Sequence, residues 1–338
     1  MTQVLARPER ERLNGIDSMR YLAAAIVVLG HSYRVDGPFL VFINNTLRFV
    51  VPFFFLTSGY MLTQKLMKDD RPTIYLRYVG RLLMLYLAWS AIYFVASPLN
   101  DIRELGFIQA YANSWNEFIT AGPQVVFFEG ISFHFWFFVS LALTTLFFLL
   151  FRVRHIGAMV IVSAVLYLFG IVAKSYADTP IGIHVQFDTR DYIFFSALPF
   201  ALGAYLRKTQ LKVDNVTAMM LFVGGAALNF FEGWFLRTQY SAPIMIDFVL
   251  STIVTGTGAF LLAKNGAGFL GNCKLASFGK LAFGIYAIHI LVAKGILPFS
   301  SDAALASYWH LIETPAVLVI STAIILAFRR FSVTRVLV

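Results

Sequence analysis

Ten apolar stretches divide this chain, at about 17–36, 42–64, 81–98, 132–151, 157–174, 191–206, 215–232, 245–263, 275–295 and 309–328. A helix needs roughly 20 apolar residues to cross the hydrocarbon of a bilayer, and the stretches meet that length, with 191–206 the shortest. In lipid every backbone polar group must be satisfied within the protein, so segments of this kind become helices. The expected fold is all-α: a polytopic integral membrane protein of about ten transmembrane helices. No repeat, linker or low-complexity stretch breaks the pattern, so residues 1–338 read as a single transmembrane domain without an appended soluble domain. Composition agrees. Only 13% of residues are charged, against about 25% in soluble domains, and the mean hydropathy is +0.73.

The net charge of +9 does not point to nucleic acid, because the basic residues are dispersed between the apolar runs. They alternate by connection instead. With ten crossings both termini share one side, and that side collects Arg7, Arg10, Arg12, the run from Lys65 to Arg81, Arg152, Arg154, Arg207, Lys208, Lys212, Lys264, Lys274, Lys280, Arg329, Arg330 and Arg335. The positive-inside rule makes this side, and both termini, cytoplasmic. The opposite connections are acidic and aromatic. The longest, about 99–131, holds Asp101, Glu104, Trp115, Glu117 and Glu129, and its segment 104–121 suits a short interfacial helix. Residues 1–16 carry arginines but no small-residue cleavage site follows the first apolar run, so the start reads as a retained span. Cys273 is the sole cysteine, which excludes an intrachain disulfide and a cysteine-based metal site.

Arg20 and His31 lie eleven residues apart on the first apolar segment. On an α-helix that spacing returns to within about 20° of one face and separates the side chains by roughly 16 Å, about half the hydrocarbon thickness. Ionisable groups inside a span are costly and mark a pathway or a site. Asp17, one turn before Arg20, is placed to hold its guanidinium. Neutral imidazole titrates near the working pH, which fits His31 for general-base work.

Other candidates follow along the chain. The second span carries Arg48, then Pro52, whose missing N–H should open a backbone hydrogen bond, then Ser58-Gly59-Tyr60, suited to close packing or a polar cavity. Arg48 near the outer end is explained equally by snorkelling and by lining a cavity. Arg71, Arg77 and Arg81 suit an anionic cosubstrate, since arginine forks match phosphate oxygens, although topology alone also places cations there. His134 and Trp136 open the fourth span at the outer surface, where an aromatic belt is the plain reading. Tyr286 and His289 share a face near mid-membrane in the ninth span. His155, His184 and His310 fall in or beside connections. No His/carboxylate metal motif, Gly-x-Ser-x-Gly elbow, Walker motif or Gly-x-Gly-x-x-Gly run occurs.

Four of these elements, in order, resemble the membrane acyltransferase-3 family, bacterial enzymes that O-acylate cell-envelope glycans. They are Asp17-Ser18-Met19-Arg20 through His31, Val51-Pro52 through Ser58-Gly59-Tyr60, His134-Phe135-Trp136-Phe137, and Gly284-Ile285-Tyr286 through His289. The closest pattern is that of the stand-alone ten-span members typified by the enterobacterial common antigen O-acetyltransferase. Two departures stand out: the family's Arg-x-x-Arg pair is Arg77-x-x-x-Arg81 here, and the proline that often follows it is replaced by Met84-Leu85. The resemblance implies transfer of an acyl group, most often acetyl from acetyl-CoA as cosubstrate and without a metal, to a sugar hydroxyl of an envelope glycan or lipid-linked sugar. It implies Asp17, Arg20 and His31 as catalytic residues and Arg71, Arg77 and Arg81 as the acyl-CoA site. Arg48, Ser58, His134, Trp136, Tyr286 and His289 are then left to the acceptor or the cavity. A transporter of a sugar or lipid-linked glycan is the competing class, and the inverted repeat common among transporters is not visible.

Overall fold

The computed structural model describes residues 13–32, 45–128, 130–243, 246–301, 305, 308–332 and 334–338. Arg7, Arg10, Arg12 and Glu129, named above for topology, lie outside them. Among the described residues there is no strand. Ten helices of 15 to 26 residues carry the architecture. They are α1 (Asn14–Ser32), α2 (Val50–Leu66), α3 (Pro72–Ala96), α4 (Trp136–Phe151), α5 (Ile156–Val172), α6 (Ile193–Thr209), α7 (Asn215–Tyr240), α8 (Leu250–Asn265), α9 (Ala282–Ile296) and α10 (Trp309–Phe328). Each falls on one of the apolar stretches. Seven of the ten positions are long and apolar enough to cross a membrane; α1, α6 and α8 are the exceptions. The helix α1 is interrupted by Asp17, Arg20 and His31, while α6 and α8 are 17 and 16 residues long. A multi-pass membrane protein follows from these helices.

The helix α1 packs against α2, α8, α9 and α10, and so occupies the middle of the bundle. Its Ala23, Ala24 and Val28 are fully buried, and the two alanines, small and of high helix propensity, let neighbours approach. The tightest approach is between α2 and α6. A Cβ on Gly59 would strike the Phe200 carbonyl oxygen, and one on Gly203 would strike that of Leu56. This reciprocal contact is the small-residue interface that substitutes for hydrophobic driving force in lipid. Hydroxyls add to it elsewhere: Ser196 of α6 bonds Ser140 at 2.8 Å and Thr144 at 2.5 Å on α4.

Pro52 acts differently from the sequence expectation. It lies in the first turn of α2, where its missing N–H has no intrahelical partner to lose. The break sits just before it, at the turn Arg48–Phe49 that separates the helical turn 45–47 from α2. Between α3 and α4 a helix, Phe107–Thr120, forms within the expected segment 104–121, and it exposes Phe107, Ile108, Trp115 and Ile119.

Candidate active site

A cavity of about 430 Å³ is enclosed by α1, α2, α3, the start of α4 and α9. Arg20, Ser58, Met61 and Tyr78 line one part of it, and Gly30, His31, Arg48, Phe133, Arg190 and Asp247 line another. Arg20 and His31 stand on the same helix, so the cavity follows the stripe that their spacing defines.

At the Arg20 end the guanidinium meets the Asp17 carboxylate at 3.3 Å, one helical turn away. Ser58 lines the cavity with its hydroxyl donating to the Phe54 carbonyl at 2.8 Å. The neighbouring Thr57 also lines it, and its buried hydroxyl has no partner among the described residues. Tyr78 stands within electrostatic reach of both Arg20 and Arg81.

At the His31 end the charges form a network. Asp247, in the connection before α8, receives Arg48 at 2.6 Å, Lys174 at 2.9 Å and Arg190 at 3.5 Å. Lys174 also pairs with Asp188, and Arg190 with Asp191 at 2.8 Å. The Arg190 guanidinium lies 5.1 Å above the Trp136 ring, a cation–π contact that fixes both at the cavity wall. Arg48 is therefore a cavity residue with a distant partner, which decides between the two readings of its position.

Three histidines converge beside this network. The His289 ring centroid is 5.3 Å from that of His31 and 5.2 Å from that of His134. They differ in surroundings. His31 is exposed and lines the cavity. His134 is only 2% exposed, packed among Tyr93, Phe135 and Tyr286, so the outer surface position expected for it is corrected to an internal one. Its Nδ1 lies 2.9 Å from the Ser132 hydroxyl and its Nε2 3.4 Å from the Ala287 carbonyl. A carbonyl only accepts, so Nε2 carries the proton and Nδ1 accepts from Ser132. His289 is fully buried and does not line the cavity. Tyr286 does; its hydroxyl donates to the His134 carbonyl. Tyr93 ties the cluster to α9: its hydroxyl donates to the Ala287 carbonyl at 2.9 Å and accepts from the Leu291 amide at 3.1 Å. That inserts a side chain at an i, i+4 backbone pair of the helix.

The remaining candidates lie apart. Arg71, Arg77 and Arg81 are exposed and none lines the cavity. Arg71 is held by Asp69 at 2.6 Å, and the same hydrogen bond keeps the Asp69 carboxyl below the usual carboxylate range. Arg77 and Arg81 have no ion pair among the described residues. His155 accepts from Arg154 at 2.8 Å on the surface. Sequence reasoning singled out none of Asp247, Tyr78, Thr57 and Arg190. Arg48 and Asp247 are 199 positions apart, so no local pattern announces their pairing.

An all-helical membrane protein whose cavity carries arginines and two histidines is the setting of an intramembrane enzyme or carrier. The chain belongs to the acyltransferase-3 family, whose model, described as an acyltransferase domain, matches residues 13–330. Among curated proteins it is similar to an amino-acid racemase of Enterococcus faecalis, 30% identical over 252 residues that make up 68% of this chain and 34% of that protein. A serine/alanine racemase of Enterococcus gallinarum is 28% identical over 235 residues, 62% of this chain and 31% of that protein. The chain thus spans about a third of the length of these relatives. No solved structure matches it significantly.

Proposed function

We propose that the protein is a membrane O-acyltransferase that moves acetyl from cytoplasmic acetyl-CoA to a hydroxyl of an envelope glycan or lipid-linked sugar. The supporting observation is the cavity itself, lined by Arg20 and His31 from one helix. By the positive-inside rule the Arg20 end faces the cytoplasm of a bacterial inner membrane, where acyl-CoA is made, and the His31 end faces the envelope side. The CoA phosphates would lie at the exposed Arg77 and Arg81, one turn apart, and the pantetheine arm would enter past Tyr78 and Arg20. The racemase names belong to longer proteins; this chain's acyltransferase domain covers 13–330, so almost all of the shared stretch lies within that domain.

At the outer end His31 takes the proton of the acceptor hydroxyl while its oxygen attacks the thioester carbonyl. The carbon–sulfur bond breaks, the proton passes from His31 to the sulfur, and the products are the sugar ester and CoA thiol. Arg20 stands roughly 16 Å from His31 along α1, too far to serve the same carbonyl. Arg20, oriented by Asp17, is thus assigned to the donor, and Arg48 to the charge developing on the thioester oxygen. Trp136, held by Arg190, shapes the cavity wall beside the acceptor.

The test is CoA thiol release from acetyl-CoA by detergent-purified protein, with envelope lipid extract as acceptor source. Turnover by the native chain and its loss in His31→Ala are expected. A native chain with no turnover under these conditions overturns the reading.

A further inference from the structure

His289 has no part in the mechanism, and its hydrogen bonding is unusual. Nδ1 lies 2.6 Å from the Tyr286 carbonyl. The carbonyl has no proton to give, so Nδ1 carries it and Nε2 is left as a bare lone pair. That Nε2 is buried and has no partner among the described residues. A buried acceptor left unsatisfied loses its solvation without return, so its retention calls for an explanation. His134 offers a control within the same cluster, since both of its nitrogens are engaged.

The neighbour that can supply a donor is His31. Its ring centroid is 5.3 Å away with the ring planes 32° apart, a separation that a small approach of the two edges would turn into a hydrogen bond. Hydrogen bonds between catalytic groups are often long in an unliganded site and tighten in the complex. We infer that His289 is a positioning residue for His31, its Nε2 lone pair accepting the His31 N–H that faces away from the cavity. The consequence is a fixed tautomer. With one His31 nitrogen held as N–H toward His289, the other must present its lone pair to the acceptor hydroxyl. When His31 is protonated during transfer, the N–H to His289 remains in place, and the incoming proton sits on the cavity side, from which it can leave to sulfur. The usual partner of a catalytic histidine is a carboxylate; here a neutral imidazole orients the base without adding a charge to the interior.

This inference rests on the reading of His31 as base, and its test separates the two. His289→Phe keeps a ring of similar shape and removes the lone pair, while His289→Gln restores an acceptor oxygen near the Nε2 position. The expected result is a kcat about 10–100-fold lower in the Phe variant with the KM for acetyl-CoA unchanged, and recovery of most of that loss in the Gln variant. With ¹⁵N-labelled histidine, the native protein should show a single His31 tautomer and a through-hydrogen-bond coupling between the His31 and His289 nitrogens, and the Phe variant a mixture of tautomers. Native kcat in the Phe variant overturns the inference, as does equal loss in Phe and Gln variants. A native spectrum without that coupling also overturns it, and needs no variant to fold. A native chain that releases no CoA thiol overturns the proposed function instead, while the tautomer measurement still decides the pairing.

Discussion

Two groups of arginines in this protein are alike in sequence and opposite in setting. Arg71, Arg77 and Arg81 stand on the exposed beginning of α3, whereas Arg20, Arg48 and Arg190 line the cavity. Every cavity arginine has a carboxylate: Asp17 at 3.3 Å, Asp247 at 2.6 Å and Asp191 at 2.8 Å. In the exposed group only Arg71 has one among the described residues, and with 75% of its side chain exposed water already stabilises the charge. The difference follows from the cost of removing a cation from water, which forces pairing in the interior and leaves it optional outside. Unpaired exposed cations remain available to a soluble anion. Paired interior ones hold geometry, and their charge acts on whatever enters the cavity.

The comparison assigns chemistry to the cavity and recruitment to the surface, and the largest effect should be chemical. His31→Ala should lower kcat by about 10²–10⁴-fold while binding of acetyl-CoA, measured by calorimetry, stays close to native. A variant that loses binding and keeps kcat would reverse the assignment. The next effect concerns stability. Asp247→Asn removes the shared partner of Arg48, Lys174 and Arg190, and should destabilise the protein by about 2–3 kcal/mol, a lowered Tm in detergent, because the cations stay half-buried without it. Asp69→Asn, which breaks the exposed pair, should leave Tm unchanged. Equal shifts for the two would show that the interior network is no more confined than the surface one.

Much of this was legible in the sequence, and what was not has a common cause. The helices follow from apolar run length, and the eleven-residue spacing of Arg20 and His31 is a property of one helix, so both could be read without tertiary information. Gly59 was flagged for close packing and meets the α6 backbone. Asp247 and Arg190 sit in connections far along the chain, and only the folded bundle brings them to Arg48. His134 was misplaced for the same reason: beginning a span put it at the surface by counting, while Tyr93, Tyr286 and His289 from other helices enclose it. Arg77 and Arg81 mark the opposite limit. Topology and ligand binding demand the same residues in the same place, so a sequence cannot separate them.

An experiment on salt and single substitutions can. If the exposed arginines recruit CoA phosphates, Arg81→Ala should raise the KM for acetyl-CoA about 10-fold with kcat unchanged, and the native KM should rise with ionic strength because charges in water are screened. Arg77→Ala should behave alike, one turn away on the same face. Arg20→Gln tests the interior counterpart: its effect on KM should depend less on salt, because the pair with Asp17 lies in a partly buried cavity. The smallest effect belongs to Arg71→Ala. Its guanidinium is already committed to Asp69 through Nε and Nη2, so removing it should change KM less than two-fold. An Arg71 effect as large as that of Arg81 would mean that Asp69 releases the guanidinium when CoA binds, and the surface group would then act as a unit of three.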